Sequence, residues 1–291
     1  MNNRLKGTGV ALVTPFLADG SIDFPSLENL VENLIQNGVD YIVTVCTTSE
    51  VPTLSEAEKD EIVRCVVKVA AGRVAIVRGL GGPNTLELVR QLRTCDFSGV
   101  DAILSVTPFY NKPTQEGVYQ HYKMLAENSP LPIILYNVPG RTGCNIDADT
   151  TIRLANDFPN IVAIKEASGM MNQIMRVIAH KPAEFSVLSG DDAITLPLLA
   201  AGADGVISVV ANAFPAEVST MVRLARNNQF DQARQIHLRL LDFDQACFRE
   251  GNPGGIKALL SLQGKIQNQL RLPQVPVSEK LMETFRKLLG E

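Results

Sequence analysis

The chain has 291 residues, 45% of them hydrophobic and 20% charged, with 21 glycines, 16 prolines and a net charge of −4. Apolar residues at that share, spread along the whole length, exclude a disordered polymer, and a chain of this size buries about three-quarters of the surface it exposes when unfolded. The acidic balance gives no general reason to expect nucleic-acid or anionic-membrane binding.

No apolar run reaches the ~18–20 residues that a spanning helix needs. The opening segment MNNRLKGTGVALVTPF is broken by Gly7, Gly9 and Pro15 and lacks the apolar core and cleavage site of a secretory signal. Five cysteines (Cys46, Cys65, Cys95, Cys144, Cys247) stand at wide spacings with no CxxC pair, and the histidines His121, His180 and His237 have no ligand spacing. Neither a disulfide framework nor a zinc site is expected, and a reducing cytoplasm fits this cysteine usage.

From Gly9 onward two textures alternate. The first strand is expected at Val10 to Val13. A helix follows, with Leu27, Leu30, Val31, Leu34 and Ile35 at helical spacing, Asp23 and Pro25 suited to its start and Gly38 to its stop. The second strand is Tyr41 to Val45, after which Ser55 and Glu58 form a capping box ahead of Ile62, Val63, Val66 and Val67. Further strands are expected at Val74 to Val77, Ala102 to Val106, Pro132 to Tyr136, Ile161 to Ile164, Phe185 to Leu188 and Val206 to Val210. Each run is continuously apolar, as in a parallel sheet covered on both faces. An open doubly wound sheet usually has about five or six strands, so eight equal strand–helix units predict a closed (β/α)8 TIM barrel over residues 1–225. Residues 226–291 carry no strand signal. Phe230, Ala233, Ile236, Leu240 and Leu241 predict a helix, Asn252-Pro253-Gly254-Gly255 a break, and Leu272 to Pro276 a second break. A C-terminal helical extension of the barrel is expected there.

Two motif-like stretches are set aside. Gly79-Leu80-Gly81-Gly82-Pro83-Asn84 has Asn84 in place of a third glycine and no GK[ST] after it, so it reads as a tight turn rather than a phosphate loop. Asn145 to Asp149 has calcium-like spacing, but Thr150 stands where the loop glycine belongs, so a helix start is expected.

Active sites of such barrels form at the carboxyl ends of the strands. Those ends carry Cys46-Thr47-Thr48-Ser49-Glu50, Thr107 to Asn111, Tyr136-Asn137 with Arg141 beyond, Lys165-Glu166, Ser189-Gly190-Asp191-Asp192, and Ile207-Ser208. A lysine held in a dry barrel loses hydration, which favours a neutral amine able to attack a carbonyl. Lys165 is equally compatible with a side chain that reaches solvent or pairs with Glu166, and position alone does not choose. Tyr136 ends the neighbouring strand and is placed either to pass protons to a lysine-bound carbonyl or to pack. Thr47 and Thr48 offer hydroxyls and amides to a carboxylate, or form a turn; Arg141 holds a second carboxylate bidentately, or is a solvated loop residue. Together these residues describe imine chemistry on a keto acid, in which the protonated imine is the electron sink and neither metal nor organic cofactor is required.

The blocks GVALVTPF, CTTSEVPTLSEAEK, TPFYNKPTQEGVYQHY, ILYNVPGRTG, IVAIKEASG, LSGDD and GVISVVAN occur in order over nearly the whole chain. In them the sequence resembles the dihydrodipicolinate synthases, a family within the pyruvate-dependent lyase and N-acetylneuraminate lyase superfamily. The double threonine Thr47-Thr48 and the Arg141 of PGRTG favour the synthases over the sialic-acid and sugar-acid lyases, which are the alternative. A catalytically silent keto-acid-binding barrel is less compatible with Lys165, Tyr136, Thr47 and Tyr110 together. The resemblance implies condensation of pyruvate with L-aspartate 4-semialdehyde to 4-hydroxy-tetrahydrodipicolinate, on the route to diaminopimelate and lysine. It implies that Lys165 forms the Schiff base, that Tyr136 donates and accepts protons, and that Thr47 relays them to a Tyr110 supplied by the neighbouring subunit. It further implies that Thr48 and the carbonyl of Ile207 contact pyruvate, that Gly190 lines the pocket, and that Arg141 binds the semialdehyde carboxylate. The usual assembly of the family is a homotetramer, a dimer of dimers. Cys46 and Ser49 replace the glycines of the family's GTTGE block, where positive backbone angles would be costly, and Phe109 replaces the first tyrosine of TPYY. Val51, Pro52, Glu56, Lys59 and Pro83 depart from the pattern of lysine-inhibited relatives, whereas Glu87 keeps it.

Overall fold

The computed structural model describes residues 2–290. Eight parallel strands, β1 (Gly7–Ala11), β2 (Tyr41–Thr44), β3 (Ala75–Gly79), β4 (Ala102–Val106), β5 (Ile133–Asn137), β6 (Ile161–Glu166), β7 (Ser186–Ser189) and β8 (Gly205–Ser208), pair in sequence order, and β8 returns to β1. The strands are buried along almost their whole length, which is why they read as unbroken apolar runs.

The outer layer comprises α1 (Phe24–Gln36), α2 (Glu56–Ala70), α3 (Thr85–Thr94), α4 (Gln115–Asn128), the single-turn α5 (Pro139–Thr142), α6 (Ala148–Asp157), α7 (Met171–His180), α8 (Thr195–Ala200) and α9 (Pro215–Arg226). Local chemistry sets their starts. The Asp23 carboxylate accepts from the Ser26 amide, and Ser55 and Glu58 satisfy each other's backbone amides as a capping box. Then come α10 (Phe230–Arg249), α11 (Gly254–Leu262) and α12 (Glu279–Leu289); α10 packs along α9, and α11 and α12 pack against α10.

Only β4 keeps its expected bounds, the other strands shifting at one end or both, and three boundaries are informative. β1 starts at Gly7 and stops at Ala11, because Gly9 leaves room for the Tyr41 ring: a Cβ there would lie 2.1 Å from Tyr41 Cε2. Hydrophobicity alone does not register a strand built from glycines. β8 ends at Ser208 rather than Val210, since the Asp192 carboxylate takes the amides of Val209 (2.9 Å) and Val210 (3.2 Å). The break at Asn252 is a corner rather than a four-residue interruption, and α11 begins at Gly254, with Pro253 just ahead of the first turn, where a missing N–H costs nothing.

The three histidines lie on α4, α7 and α10, as their helical setting suggests. All five cysteines are free thiols. Among the described residues no helix is long and apolar enough to cross a membrane.

Candidate active site

Parallel pairing of β5 and β6 sets Tyr136 beside Lys165 and Asn137 beside Glu166. Because side chains alternate along a strand, the first pair shares one face and the second pair the other. Lys165 is 4% exposed, and its Nζ lies 4.4 Å from the centroid of the buried Tyr136 ring. A cationic ammonium is attracted to such a ring face. Among the described residues Lys165 makes no ion pair: it neither reaches solvent nor meets Glu166.

Glu166 has its own partners. Asn137 Nδ2 donates to both of its oxygens at 3.1 Å, the Ser168 amide at 2.9 Å and Gln173 Nε2 at 3.3 Å. Burial pushes its carboxyl up, and these donors work against that rise. Asn137 Oδ1 in turn accepts from the Ile146 amide, so the ends of β5 and β6 are tied to the segment leading into α6.

Gly190 follows β7 directly. A Cβ there would meet Ala167 Cβ at 2.8 Å and Lys165 Cε at 3.0 Å, so glycine gives the lysine stem its room. The Gly190 amide donates to the Glu166 carbonyl at 2.7 Å, which brings the chain close to the lysine in the first place.

After β2 the chain makes a 3-10 turn, Thr47–Ser49, bracketed by left-handed residues: Val45 at φ 47° and Glu50 at φ 57°. A left-handed conformation costs a residue bearing a Cβ about 1–2 kcal/mol. The strain therefore falls on Val45 and Glu50, not on Cys46 or Ser49, the two positions where glycine is replaced; Cys46 is extended, with φ −110°. Ser49 also fixes the turn to β1, its Oγ donating to the Leu12 carbonyl at 2.7 Å and accepting from the Cys46 amide at 3.1 Å. The Cys46 thiol is buried, 3.6 Å from Ser49 Oγ.

A cavity of about 360 Å³ opens above these strand ends, with Cys46, Thr47, Phe109, Tyr136, Val138 and Arg141 in its wall. The Arg141 guanidinium, on α5, has no hydrogen bond or ion pair among the described residues. Thr48 is buried, and its hydroxyl accepts from Asn252 Nδ2 at 3.1 Å. Ile207, on β8, is paired with Gly9 and has a buried side chain. Of the expected site residues this wall holds Thr47, Tyr136 and Arg141; Lys165, Thr48, Gly190, Ile207 and Tyr110 lie outside it, and of those five Tyr110 alone is exposed, 88% at φ 73°.

Two buried polar residues beside these strand ends have no site role in the reading of the sequence. Asp192 shapes the end of β8, its carboxyl pushed up by burial against the amides it accepts. Asn252 reaches Thr48 across 204 residues of sequence. The acid of the LSGDD block was a weak signal for the first. Nothing local marks the second.

A closed parallel barrel with a buried, unpaired lysine at a strand end and a free arginine on the adjoining cavity wall belongs to the (β/α)8 enzymes whose chemistry sits at the carboxyl ends of the strands. The profile of the Dihydrodipicolinate synthetase family matches residues 4–291, and the chain belongs to that family. It is 54% identical to the 4-hydroxy-tetrahydrodipicolinate synthase of Azobacteroides pseudotrichonymphae genomovar. CFP2, over 98% of this chain and 96% of that one. Among solved structures it resembles the chloride-inhibited dihydrodipicolinate synthase of Acinetobacter baumannii complexed with pyruvate (42% identity, TM-score 0.95, 98% of each chain). It also resembles a monomeric dihydrodipicolinate synthase variant (40% identity, TM-score 0.96, 99% of this chain and 97% of that one).

Proposed function

We propose that the chain catalyses the 4-hydroxy-tetrahydrodipicolinate synthase reaction, joining pyruvate to L-aspartate 4-semialdehyde. The observation that carries the chemistry is Lys165, buried without a counter-ion against the Tyr136 ring at the carboxyl end of the barrel. In this reading the Lys165 amine attacks the keto carbon of pyruvate, and loss of water gives an imine. Removal of a methyl proton turns the imine into an enamine, whose carbon attacks the aldehyde of the semialdehyde. The substrate's own amine then displaces Lys165 as the ring closes, returning the free lysine.

The remaining roles are those the family resemblance implies, and the geometry supports some of them. Tyr136 lies against Lys165 and shuttles the protons of imine formation. Thr47, in the cavity wall with Tyr136, relays them to Tyr110. Tyr110 stands almost wholly exposed on its own chain, which supports its contribution to the site of a neighbouring subunit within a homotetramer. Thr48 and the Ile207 carbonyl hold pyruvate, Gly190 gives the lysine stem room, and Arg141 pairs with the semialdehyde carboxylate, its fork otherwise unoccupied. Five free thiols support a reducing cytoplasm.

The deciding experiment compares kcat/KM for aspartate semialdehyde condensation with that for N-acetylneuraminate cleavage. Synthase turnover should dominate; cleavage of the sugar acid at the higher efficiency would overturn the assignment. Because Tyr110 is assigned across a subunit boundary, dilution to monomers should lower specific activity, and a fully active monomer would break that link.

A further inference from the structure

The Thr47–Ser49 turn is bracketed by two left-handed residues, so contacts rather than backbone preference hold it in place. Three of those contacts come from the far end of the chain. The Lys257 ammonium pairs with Glu50 Oε1 at 2.5 Å, and both side chains are completely shielded from solvent. The other Glu50 oxygen accepts from the Arg271 amide at 3.0 Å, and Lys257 also donates to the Gln269 carbonyl at 2.8 Å. The Lys257 and Arg271 cations lie on the ring of the buried Phe16, 4.1 Å and 4.5 Å from its centroid. Five residues before Lys257, Asn252 Nδ2 donates to Thr48 Oγ1, while Asn252 Oδ1 is buried without a hydrogen-bond partner.

A buried ion pair is a poor device for stability, since desolvation takes back most of the attraction and a well-packed apolar pair often does as well. Its directional use is stronger. We propose that Glu50 and Lys257 are positioning residues that lock the Thr47–Ser49 turn against α11, and that Asn252, seated by the same lock, sets the polarity of the Thr48 hydroxyl. Thr48 Oγ accepts from Asn252, so its single proton is left to be donated elsewhere. That makes Thr48 a donor to an anionic ligand in the barrel mouth, a pyruvate carboxylate on the reading of Thr48 given above, on which this inference rests.

The test uses the full-length enzyme and three changes. The double variant Glu50→Leu/Lys257→Met removes both charges together and should stay folded, with a melting temperature near the parent's, yet raise the pyruvate KM about tenfold, the loss of one charge-assisted hydrogen bond. Asn252→Asp is nearly isosteric but turns a donor into an acceptor, which draws the Thr48 proton away from the ligand. It should raise the pyruvate KM by at least as much, while borohydride at saturating pyruvate still adds the same mass to Lys165. Thr48→Val separates this inference from the reading beneath it. Unchanged pyruvate KM in Thr48→Val overturns the assignment of Thr48 and the proposal with it. A raised KM in Thr48→Val, with parental KM in Asn252→Asp and in the double variant, overturns only the positioning role. If the double variant fails to fold, Asn252→Asp alone decides: a raised pyruvate KM supports the proposal and a parental one overturns it.

Discussion

Tyr136 and Lys165 sit side by side in the register of β5 and β6, with the Lys165 ammonium 4.4 Å from the Tyr136 ring centroid. The phenol has two separable parts, a ring that packs against the amine and a hydroxyl proposed to move protons. Tyr136→Phe keeps the first and deletes the second. It should still yield a borohydride-stable pyruvate adduct on Lys165, formed about 10²- to 10³-fold more slowly, as expected for loss of a positioned proton donor. Lys165→Met keeps the apolar stem and should give a folded protein with no adduct. Mass spectrometry of the borohydride-treated peptide checks both, and an adduct on Lys165→Met would remove the lysine from the mechanism.

Gly190 offers a purely steric test of the same amine. A methyl group there would press on Ala167 Cβ (2.8 Å) and Lys165 Cε (3.0 Å). The lysine stem is the more mobile of the two and should yield, moving its amine by about 1 Å, a displacement that typically costs about 10² in rate. Gly190→Ala should therefore lose kcat/KM on that scale and also melt at a lower temperature, because Ala167 Cβ and the Glu166 carbonyl at 3.1 Å move only with the backbone. Parental kcat/KM in Gly190→Ala would show that the amine tolerates displacement.

Arg141 offers a test that separates the two proposed substrates. Its guanidinium stands on the cavity wall with no hydrogen bond or ion pair among the described residues. If it grips the second substrate bidentately, Arg141→Lys keeps the charge but loses the fork. Semialdehyde KM should rise about tenfold or more in Arg141→Lys and further in Arg141→Ala, with pyruvate adduct formation at the parental rate. Equal losses in both half-reactions would instead place Arg141 on pyruvate or on the fold.

What the sequence discloses of this site follows from how local each signal is. Lys165, Tyr136 and Gly190 end apolar strands, so period and run length place them at the barrel mouth without any knowledge of contacts. The environment of Lys165 is another matter: whether it pairs with Glu166 depends on alternation along β6 and on Asn137, Ser168 and Gln173 occupying that carboxylate. Asn252 and Lys257 were less legible still. They belong to a helical stretch that reads as an extension, and their partners Thr48 and Glu50 lie 204 and 207 residues away. Tyr110 is legible only through the family resemblance, since it stands exposed and outside the cavity wall of its own chain.

The contact between the barrel and α10 carries a pH dependence of its own. Asp244, on α10, is pushed up to about 9, first by burial and then by the charges of Asp192 and Asp191. Burial also raises the Asp192 carboxyl and the Cys247 thiol beside it. In the unfolded chain an aspartate gives up its proton near pH 3.9, about its ordinary value, whereas folded Asp244 keeps its proton until far higher pH. Between those two values the folded state holds one proton more than the unfolded state. Stability contributed at this position is thus fully present in acid and falls as pH rises, by up to about 1.4 kcal/mol per pH unit within the window. Asp244→Asn replaces the protonated carboxyl with a neutral group of similar shape that does not titrate. Urea unfolding at about pH 5 and pH 8, both inside the window, should find the asparagine variant more stable than the parent at both, by a margin that widens toward the higher pH. Groups common to both proteins cancel in that comparison. Parent and variant curves that stay parallel across the range would mean that Asp244 ionises in the folded protein as it does in water, with Asp192 and Asp191 bearing no charge toward it.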